Sequence, residues 1–145
     1  MKASNFLFAA VAICSFFMSC TKDKDDDCRS PVCDRLVVVD GDQYLTAPDD
    51  QLTIISVELA GDCLKINFAS SGCSGSSWKV KLIDSEAVLY SDPPQRNLRL
   101  SLNNQEMCDA YIGKEVTFDI KRLRVNGNRV LLNITNSGSQ ILYEY

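Results

Sequence analysis

The sequence contains no histidine among its 145 residues. Without an imidazole, the chain has no histidine general base, no histidine-activated serine or cysteine nucleophile, and no histidine ligand for a metal ion. It also has no Cys-x-x-Cys pair, which is the thiolate spacing typical of structural zinc sites. The missing histidine does not exclude catalysis by carboxylates, but no pair of acidic residues stands out by its spacing. We therefore expect no catalytic residues, no bound metal and no cofactor.

Positive charge is also scarce, because 15 Lys and Arg stand against 19 Asp and Glu, for a net charge of −4. Binding to nucleic-acid phosphates requires a basic surface, so we expect no nucleic-acid partner. A chain of this length supports a single domain with one hydrophobic core.

Charge is almost missing from residues 1–19, where Lys2 is the single charged residue. Residues 6–18 form an uncharged, mostly apolar run. As a helix this run would span ~20 Å at ~1.5 Å per residue, which is short of the ~30 Å hydrocarbon core of a membrane. The pattern therefore predicts a signal peptide over residues 1–19 rather than a transmembrane anchor.

The apolar run ends in Phe17-Met18-Ser19-Cys20. This ending resembles a bacterial lipoprotein signal, in which the cysteine after cleavage is acylated with palmitate-type chains. Ser19 matches the small residue before that cysteine, whereas Phe17 and Met18 depart from the usual pattern. The resemblance implies that Cys20 anchors the mature protein in a membrane, since two or more acyl chains give stable attachment. The alternatives are an ordinary secretory signal with Cys20 as a free thiol, or cleavage at Cys14.

An acidic stretch follows Cys20, and it contains Lys24, Asp25, Asp26 and Asp27. It resembles the surface-export signal of Bacteroidetes lipoproteins, which implies an outer-membrane protein displayed on the cell surface. We interpret residues 20–34 as the lipidated cysteine followed by a flexible acidic tether. A simple solvated tether and a cation-binding cluster are the alternatives, although the stretch lacks the alternating ligands and central glycine of a calcium loop.

The region after the tether resembles the many small lipoproteins of Bacteroidetes for which no activity is established. That resemblance implies a location and no mechanism.

Residues 35–145 are predicted to form a single β-domain, because apolar and polar residues alternate with a period of two. The alternating segments are 64–68, 78–82, 98–102, 116–120, 130–134 and 141–145, and segments 36–39 and 52–59 are more uniformly hydrophobic. Eight or nine strands predict an all-β fold, an antiparallel β-sandwich or a small barrel. Asn126-Gly127 predicts a tight hairpin turn. One short helix is predicted over residues 105–112, with Asn104 as N-cap and Gly113 just after its end.

The remaining cysteines are candidates for disulfide bonds, because an exported chain folds in an oxidising compartment. They are Cys28, Cys33, Cys63, Cys73 and Cys108. Their odd number leaves at least one thiol free or paired between molecules. We expect a local Cys28–Cys33 bridge and favour Cys73–Cys108, with Cys63–Cys108 as the alternative.

The most unusual stretch is a candidate ligand-binding loop rich in glycine and serine. It comprises Gly72, Ser74, Gly75, Ser76, Ser77 and the adjoining Trp78. It lacks the Gly-x-Ser-x-Gly order of a nucleophile elbow and the lysine of a phosphate-binding loop. It is either a flexible connection held by Cys73 or a recognition loop on a rigid scaffold.

These features predict a non-enzymatic surface module that binds a macromolecule or polysaccharide, with a protein or a glycan as ligand and a membrane attachment through acylated Cys20. Two alternatives remain open. The first is a secreted-protease inhibitor that presents loop 72–77 or loop 92–96. The second is a structural or accessory subunit of an outer-membrane complex.

Overall fold

The computed structural model describes residues 32–145. The strands in this range are β1 (Arg35–Leu36), β2 (Val38–Val39), β3 (Thr53–Ala60), β4 (Cys63–Gly72), β5 (Lys79–Leu89), β6 (Gln95–Asn103), β7 (Ala110–Asp119), β8 (Arg129–Ile134) and β9 (Ser139–Glu144). An α-helix, α1, covers Gly41–Thr46, and a 3-10 turn covers Lys121–Leu123. The predicted signal peptide, Cys20, the acidic run at residues 24–27 and Cys28 lie outside the described residues. Within the described part of the chain, no helix is both long and apolar enough to cross a membrane.

The strands form two sheets that pack against each other. The four-stranded sheet has the order β1-β7-β4-β3, and the five-stranded sheet has the order β2-β5-β6-β8-β9. Over residues 32–145 this is the all-β sandwich that the alternation predicts, with two separate sheets instead of the single closed sheet of the barrel alternative.

The core lies between the sheets and consists of the inward-facing residue of each alternating pair. On β4, Leu64, Ile66 and Phe68 are almost fully buried, and the corresponding leucines of β6 and the aliphatic residues of β8 are completely buried. Each such side chain contributes roughly 1.5–3 kcal/mol when it leaves water. The period-two pattern was therefore a reliable guide to which residues form the core.

The prediction of a purely antiparallel fold is wrong, because three strand pairs are parallel: β1 with β7, β2 with β5, and β6 with β8. The chain leaves β6, crosses to the other sheet as β7, and returns as β8, so that β8 runs in the same direction as β6. For the same reason Asn126-Gly127 lies in a connection between the two sheets and does not close a tight hairpin.

The predicted strand at residues 36–39 divides between the two sheets. Arg35–Leu36 pairs with β7, and Val38–Val39 pairs with β5. Val37, between them, is buried in the core, and its backbone N–H donates to the Asp119 carbonyl at 3.0 Å. This short segment therefore closes one side of the sandwich over part of its length.

The predicted helix at residues 105–112 is wrong, because residues 104–109 are irregular and β7 begins at Ala110. Asn104 does accept a hydrogen bond from the Glu106 backbone N–H at 2.9 Å, as a helix cap would. However, the Asn104 amide donates to the Ser71 carbonyl at 2.7 Å, and the Cys108 sulfur is bonded to Cys73. These tertiary contacts outweigh the local helix signal.

Two disulfide bonds are present in the described residues, Cys33–Cys63 and Cys73–Cys108. The preferred Cys73–Cys108 pairing is confirmed, whereas the expected Cys28–Cys33 bridge is wrong. The reason is geometric: the Cα atoms of Cys33 and Cys63 lie 5.6 Å apart, although 30 positions separate them in the sequence.

Candidate functional site

Two connections between the sheets lie side by side at one end of the sandwich, and we call them together the Glu106 end. Residues 72–78 lead from β4 to β5, and residues 104–109 lead from β6 to β7. The Cys73–Cys108 disulfide joins them, with the two Cα atoms 4.8 Å apart. The candidate ligand loop predicted from the sequence is therefore one half of a cross-linked pair of loops.

The Glu106 carboxylate holds the glycine- and serine-rich loop in place. Its Oε2 atom accepts from the backbone N–H groups of Cys73 at 2.6 Å, Ser74 at 2.9 Å and Gly75 at 2.9 Å. Its Oε1 atom accepts from the Ser77 hydroxyl at 2.8 Å and from the Ser77 N–H at 3.4 Å. Consecutive amides that converge on one anion form a concave anion-binding site of the kind called a nest.

These hydrogen bonds change the acidity of Glu106. The backbone N–H groups of Gly75 and Ser74, with smaller contributions from Ser77 and Cys73, lower the pKa of Glu106 to about 2. Hydrogen bonds to the ionised form favour that form, so the carboxylate keeps its charge at neutral pH. The loop amides are thus occupied by a residue of the protein itself.

Two glycines make this arrangement sterically possible. A Cβ atom at Gly72 would lie 2.7 Å from Glu106 Oε2 and 2.9 Å from a carbon of the Trp78 ring. Gly75 has a φ of +67°, a conformation that side chains other than glycine rarely adopt. The sequence signal at these positions was real, but it reflects close packing around the Glu106 carboxylate rather than flexibility.

Trp78 belongs to the core and does not present its ring to solvent. The residue is 7 % exposed, and its ring packs against Phe68 with 5.9 Å between ring centroids. A sugar-binding tryptophan needs an open ring surface for stacking, which this position does not supply. Trp78 therefore belongs to the core and packs beneath Gly72 and Gly75 of the loop.

Met107 and Tyr111, in contrast, are exposed at the Glu106 end. Met107 is 97 % exposed and Tyr111 is 67 % exposed. Met107 stands between two fixed neighbours, since Glu106 is bonded to the loop amides and Cys108 to Cys73. Because a helix was predicted here, the role of this segment was missed. The available signal was Glu106, which lies two positions before Cys108, the cysteine predicted to pair with Cys73 in the Gly/Ser loop.

The second loop considered for an inhibitor, residues 92–96, does not form an exposed loop along its whole length. Gln95 and Arg96 belong to β6. The Arg96 guanidinium donates to the fully buried carboxylate of Asp84 at 2.6 Å. An arginine fixed in this way is not available for a partner.

A cleft of about 350 Å³ borders the Glu106 end on one side of the sandwich. Its floor is formed by the apolar side chains of Phe68, Trp78, Val80 and Val116, and its rim by Asp34, Arg35, Gly75, Ser76, Lys114 and Glu115. Among residues 32–145, no group of three or more metal-ligating side chains is close enough to hold a metal ion.

At the other end of β4, a second carboxylate lies next to the other disulfide, and we call this region the Asp62 end. Asp62 accepts from the Tyr143 hydroxyl and, at 2.6 Å, from the Arg124 guanidinium. The Lys121 amino group lies 3.7 Å from it. The hydrogen bond from Tyr143, together with Arg124, lowers the pKa of Asp62, whereas burial and the Asp62 bond raise the pKa of Tyr143 to about 12.

No family model and no curated protein matches this chain. Its fold is similar to a solved structure of a NigD-like immunity protein from Bacteroides caccae, with a TM-score of 0.54, 9 % identity, and coverage of 74 % of this chain and 58 % of that one. Other similar structures are a protein of unknown function from Bacteroides vulgatus (TM-score 0.49, 16 % identity, coverage 77 % and 56 %) and a toxin-related protein from Parabacteroides distasonis (TM-score 0.48, 15 % identity, coverage 77 % and 59 %). The chain spans less than two thirds of the length of each, and the first likeness shows a shared fold alone.

Proposed function

We propose that this chain is an exported outer-membrane lipoprotein whose domain binds a protein partner through the Glu106 end and catalyses no reaction. The observation that supports this proposal most directly is the display of Met107 between two fixed residues. A segment whose backbone is already fixed loses little backbone conformational entropy on binding, which is the advantage of a pre-organised contact.

The position of the Glu106 end suits a surface module. Cys33, near the end of the proposed tether, is bonded to Cys63 at the first residue of β4, while the Glu106 end begins at the last residue, Gly72. A strand of this length spans about 30 Å at ~3.3 Å per residue. The point at which the proposed tether joins the domain and the proposed contact surface therefore lie at opposite ends of one strand.

A protein partner is a better match to this surface than a polysaccharide. Glycan recognition relies on open aromatic rings, but Trp78 is buried. Methionine and tyrosine are enriched in protein–protein interfaces. An exposed tyrosine ring such as that of Tyr111 suits either kind of ligand, so the preference for a protein over the glycan alternative rests on Met107.

Site-specific photo-crosslinking in the producing cells tests the proposed contact surface. A photoreactive residue at position 107 is expected to give a discrete adduct with one protein. The matched control is position 90, because Tyr90 is 98 % exposed and follows β5 at the other end of the sandwich. Equal adducts at both positions, or none at position 107, would contradict the proposal.

The membrane attachment is tested independently of the binding function. Cells grown with an alkyne analogue of palmitate are expected to label the chain, with loss of the label in Cys20→Ala and retention in Cys14→Ala. Recovery of the native protein with Met1 intact would contradict this part of the proposal. Removal of the domain from whole cells by added protease would support display on the surface.

A second candidate function is inhibition of a partner protein, such as a secreted protease. The segment 104–109, which is fixed at Glu106 and Cys108, favours it, because protease inhibitors typically bind with little change in backbone structure. The NigD-like immunity protein offers support only as a protein with a similar fold. A panel of extracellular proteases distinguishes this function: inhibition is expected to weaken in Met107→Ala, whereas cleavage within residues 104–109 without inhibition would contradict it.

A further inference from the structure

The cleft lies between two strand edges that have unused backbone groups. In an antiparallel ladder, successive residues direct their N–H and C=O groups alternately to either side. On β7 the outward set includes Thr117, whose N–H donates to Asp34 at 2.9 Å, and Asp119, whose carbonyl accepts from Val37. By the same alternation the backbone N–H and C=O groups of Gly113 and Glu115 point away from β4. On that side of β7 no described strand lies opposite these two residues.

The edge of β5, on the opposite side of the cleft, also has backbone groups that point away from its neighbouring strand. On β5 the Asp84 carbonyl accepts from the Asp40 N–H at 3.2 Å, and the Val80 carbonyl accepts from the Arg35 guanidinium. Since both carbonyls point away from β6, the Val80 N–H points into the gap as well. Both sheets thus present main-chain hydrogen-bonding groups to the cleft.

The chain itself shows that an extended peptide fits between these edges. Arg35–Leu36 pairs with β7, and Val38–Val39 pairs with β5, so that one continuous segment bridges both sheets. That segment occupies only part of the gap, and the cleft is the neighbouring part. A second extended segment would find the same two edges there.

The charges around the cleft indicate what this segment would carry. The Asp34 carboxylate accepts from the Thr117 hydroxyl at 2.7 Å. The pKa of Lys65 is raised mainly by its bond to Glu58, with Glu115 as the smallest contributor. Lys114, by contrast, forms no ion pair with any of residues 32–145. An amino group without a counter-ion beside an apolar floor favours a carboxylate on the ligand.

We infer that the cleft is a binding site for an extended acidic peptide of a partner protein, which adds as a strand to the open edge of β7 and places a carboxylate at Lys114. Strand addition of this kind takes its affinity from main-chain hydrogen bonds and its specificity from alternate side chains. The peptide side chains that point inward meet the bottom of the cleft, where Phe68, Trp78, Val80 and Val116 are themselves more than nine-tenths buried. The cleft shares Gly75, Ser76 and Trp78 with the Glu106 end but does not include Met107, and strand addition at β7 does not depend on the proposed function.

The test uses the purified full chain and an mRNA-displayed library of random heptapeptides. We expect selection to enrich peptides in which Asp or Glu alternates with β-branched residues. Their dissociation constants, measured by fluorescence anisotropy, are expected to rise about tenfold in Lys114→Gln, as is usual for a lost charge-assisted bond. Hydrogen exchange at residues 111–115 should slow when the peptide is bound.

Two variants of one residue separate strand addition from other modes of binding. Gly113→Pro removes the outward N–H and is compatible with an edge strand, whereas Gly113→Ala keeps it, and an added Cβ there meets nothing within 4 Å. We expect binding to be lost in the proline variant and kept in the alanine variant. The inference would be overturned if the selected peptides lacked a carboxylate, or if Gly113→Pro and Lys114→Gln bound them as tightly as the wild type does. It would also be overturned if analytical ultracentrifugation showed a dimer that Gly113→Pro abolishes, because a second copy of the chain would then occupy the edge.

Discussion

The two ends of β4 each combine a disulfide with a hydrogen-bonded carboxylate, but the partners of the two carboxylates differ. Asp62 is held by the side chains of Tyr143, Arg124 and Lys121. Glu106 is held mainly by backbone N–H groups of the loop from Cys73 to Ser77. A side-chain partner is lost by a single substitution, whereas a backbone amide is not. The Glu106 end is therefore protected against sequence change in its partners, provided that the carboxylate and the glycines remain.

The ends also differ in what they present to solvent. Tyr143 at the Asp62 end is completely buried, while Met107 at the Glu106 end is almost completely exposed. The hydrogen bonds of Asp62 thus stabilise the packing of an aromatic residue. The hydrogen bonds of Glu106 fix the segment that carries Met107, whose side chain is exposed to solvent. The comparison indicates a structural role for the Asp62 end and agrees with the recognition role that we propose for the Glu106 end.

The largest expected effect is that of removing a disulfide. Replacement of Cys73 and Cys108 together by alanine is expected to lower the free energy of unfolding by about 3–4 kcal/mol, because the bond closes a loop of 35 positions. Urea denaturation measures the loss, and limited proteolysis should locate new cleavage within residues 104–109. The matched variant, Cys33→Ala with Cys63→Ala, should lose a similar free energy without that cleavage. An unchanged denaturation midpoint would contradict the prediction.

Asp62→Ala is expected to have the next largest effect, a loss of about 1–3 kcal/mol, because it leaves the buried Tyr143 hydroxyl and the Arg124 guanidinium without their acceptor. The control is Glu58→Ala, which removes an exposed ion pair with Lys65 and should cost less than about 1 kcal/mol. Both values are measured by chemical denaturation. Equal losses would show that the Asp62 end stabilises the fold no more than a surface ion pair does.

Glu106→Gln should lower the melting temperature by a few degrees, and the difference should depend on pH. The lowered pKa of Glu106 means that its charged form stabilises the folded state fully above pH 4.5, the ordinary value, and progressively less as the pH falls towards about 2. The melting temperatures of wild type and variant should therefore converge over that range. Glu144→Gln, an exposed carboxylate on β9, serves as the control. A difference that stays constant down to pH 2 would contradict this assignment.

The smallest expected effect on stability is that of Met107→Ala, because the side chain is 97 % exposed. The free energy of unfolding should change by no more than about 0.5 kcal/mol. Differential scanning calorimetry measures it. A loss of more than 1 kcal/mol would mean that Met107 packs against the protein and is not available to a partner.

The sequence predicted those parts of the fold that follow from a repeated local pattern. The alternation in segments such as 64–68 and 98–102 identified the core, because inward-facing residues of a sandwich strand must be apolar. Strand direction was not predictable in this way, since the pattern is the same for parallel and antiparallel pairs. The parallel arrangement of β6 and β8 depends on where the chain crosses between the sheets.

The candidate site was only half predictable. The glycines and Cys73 marked one loop, and the Cys73–Cys108 pairing was inferred correctly. The role of Glu106 was missed because Asn104 and Gly113 form a convincing local helix signal. A long-range interaction between one carboxylate and several amides has no local pattern, so residues 104–109 could be assigned only from the structure.

The Cys33–Cys63 bond has a mechanical consequence. A pull on the residues that precede Cys33 would enter the domain through a covalent link to β4, which lies between β7 and β3 inside its sheet. Beyond that link, β1 and β2 pair with their neighbours over only two residues each, so the covalent bond and not these short ladders would carry most of the load. A domain held by its first residues under flow or traction would transmit force into its centre before its edges could peel away.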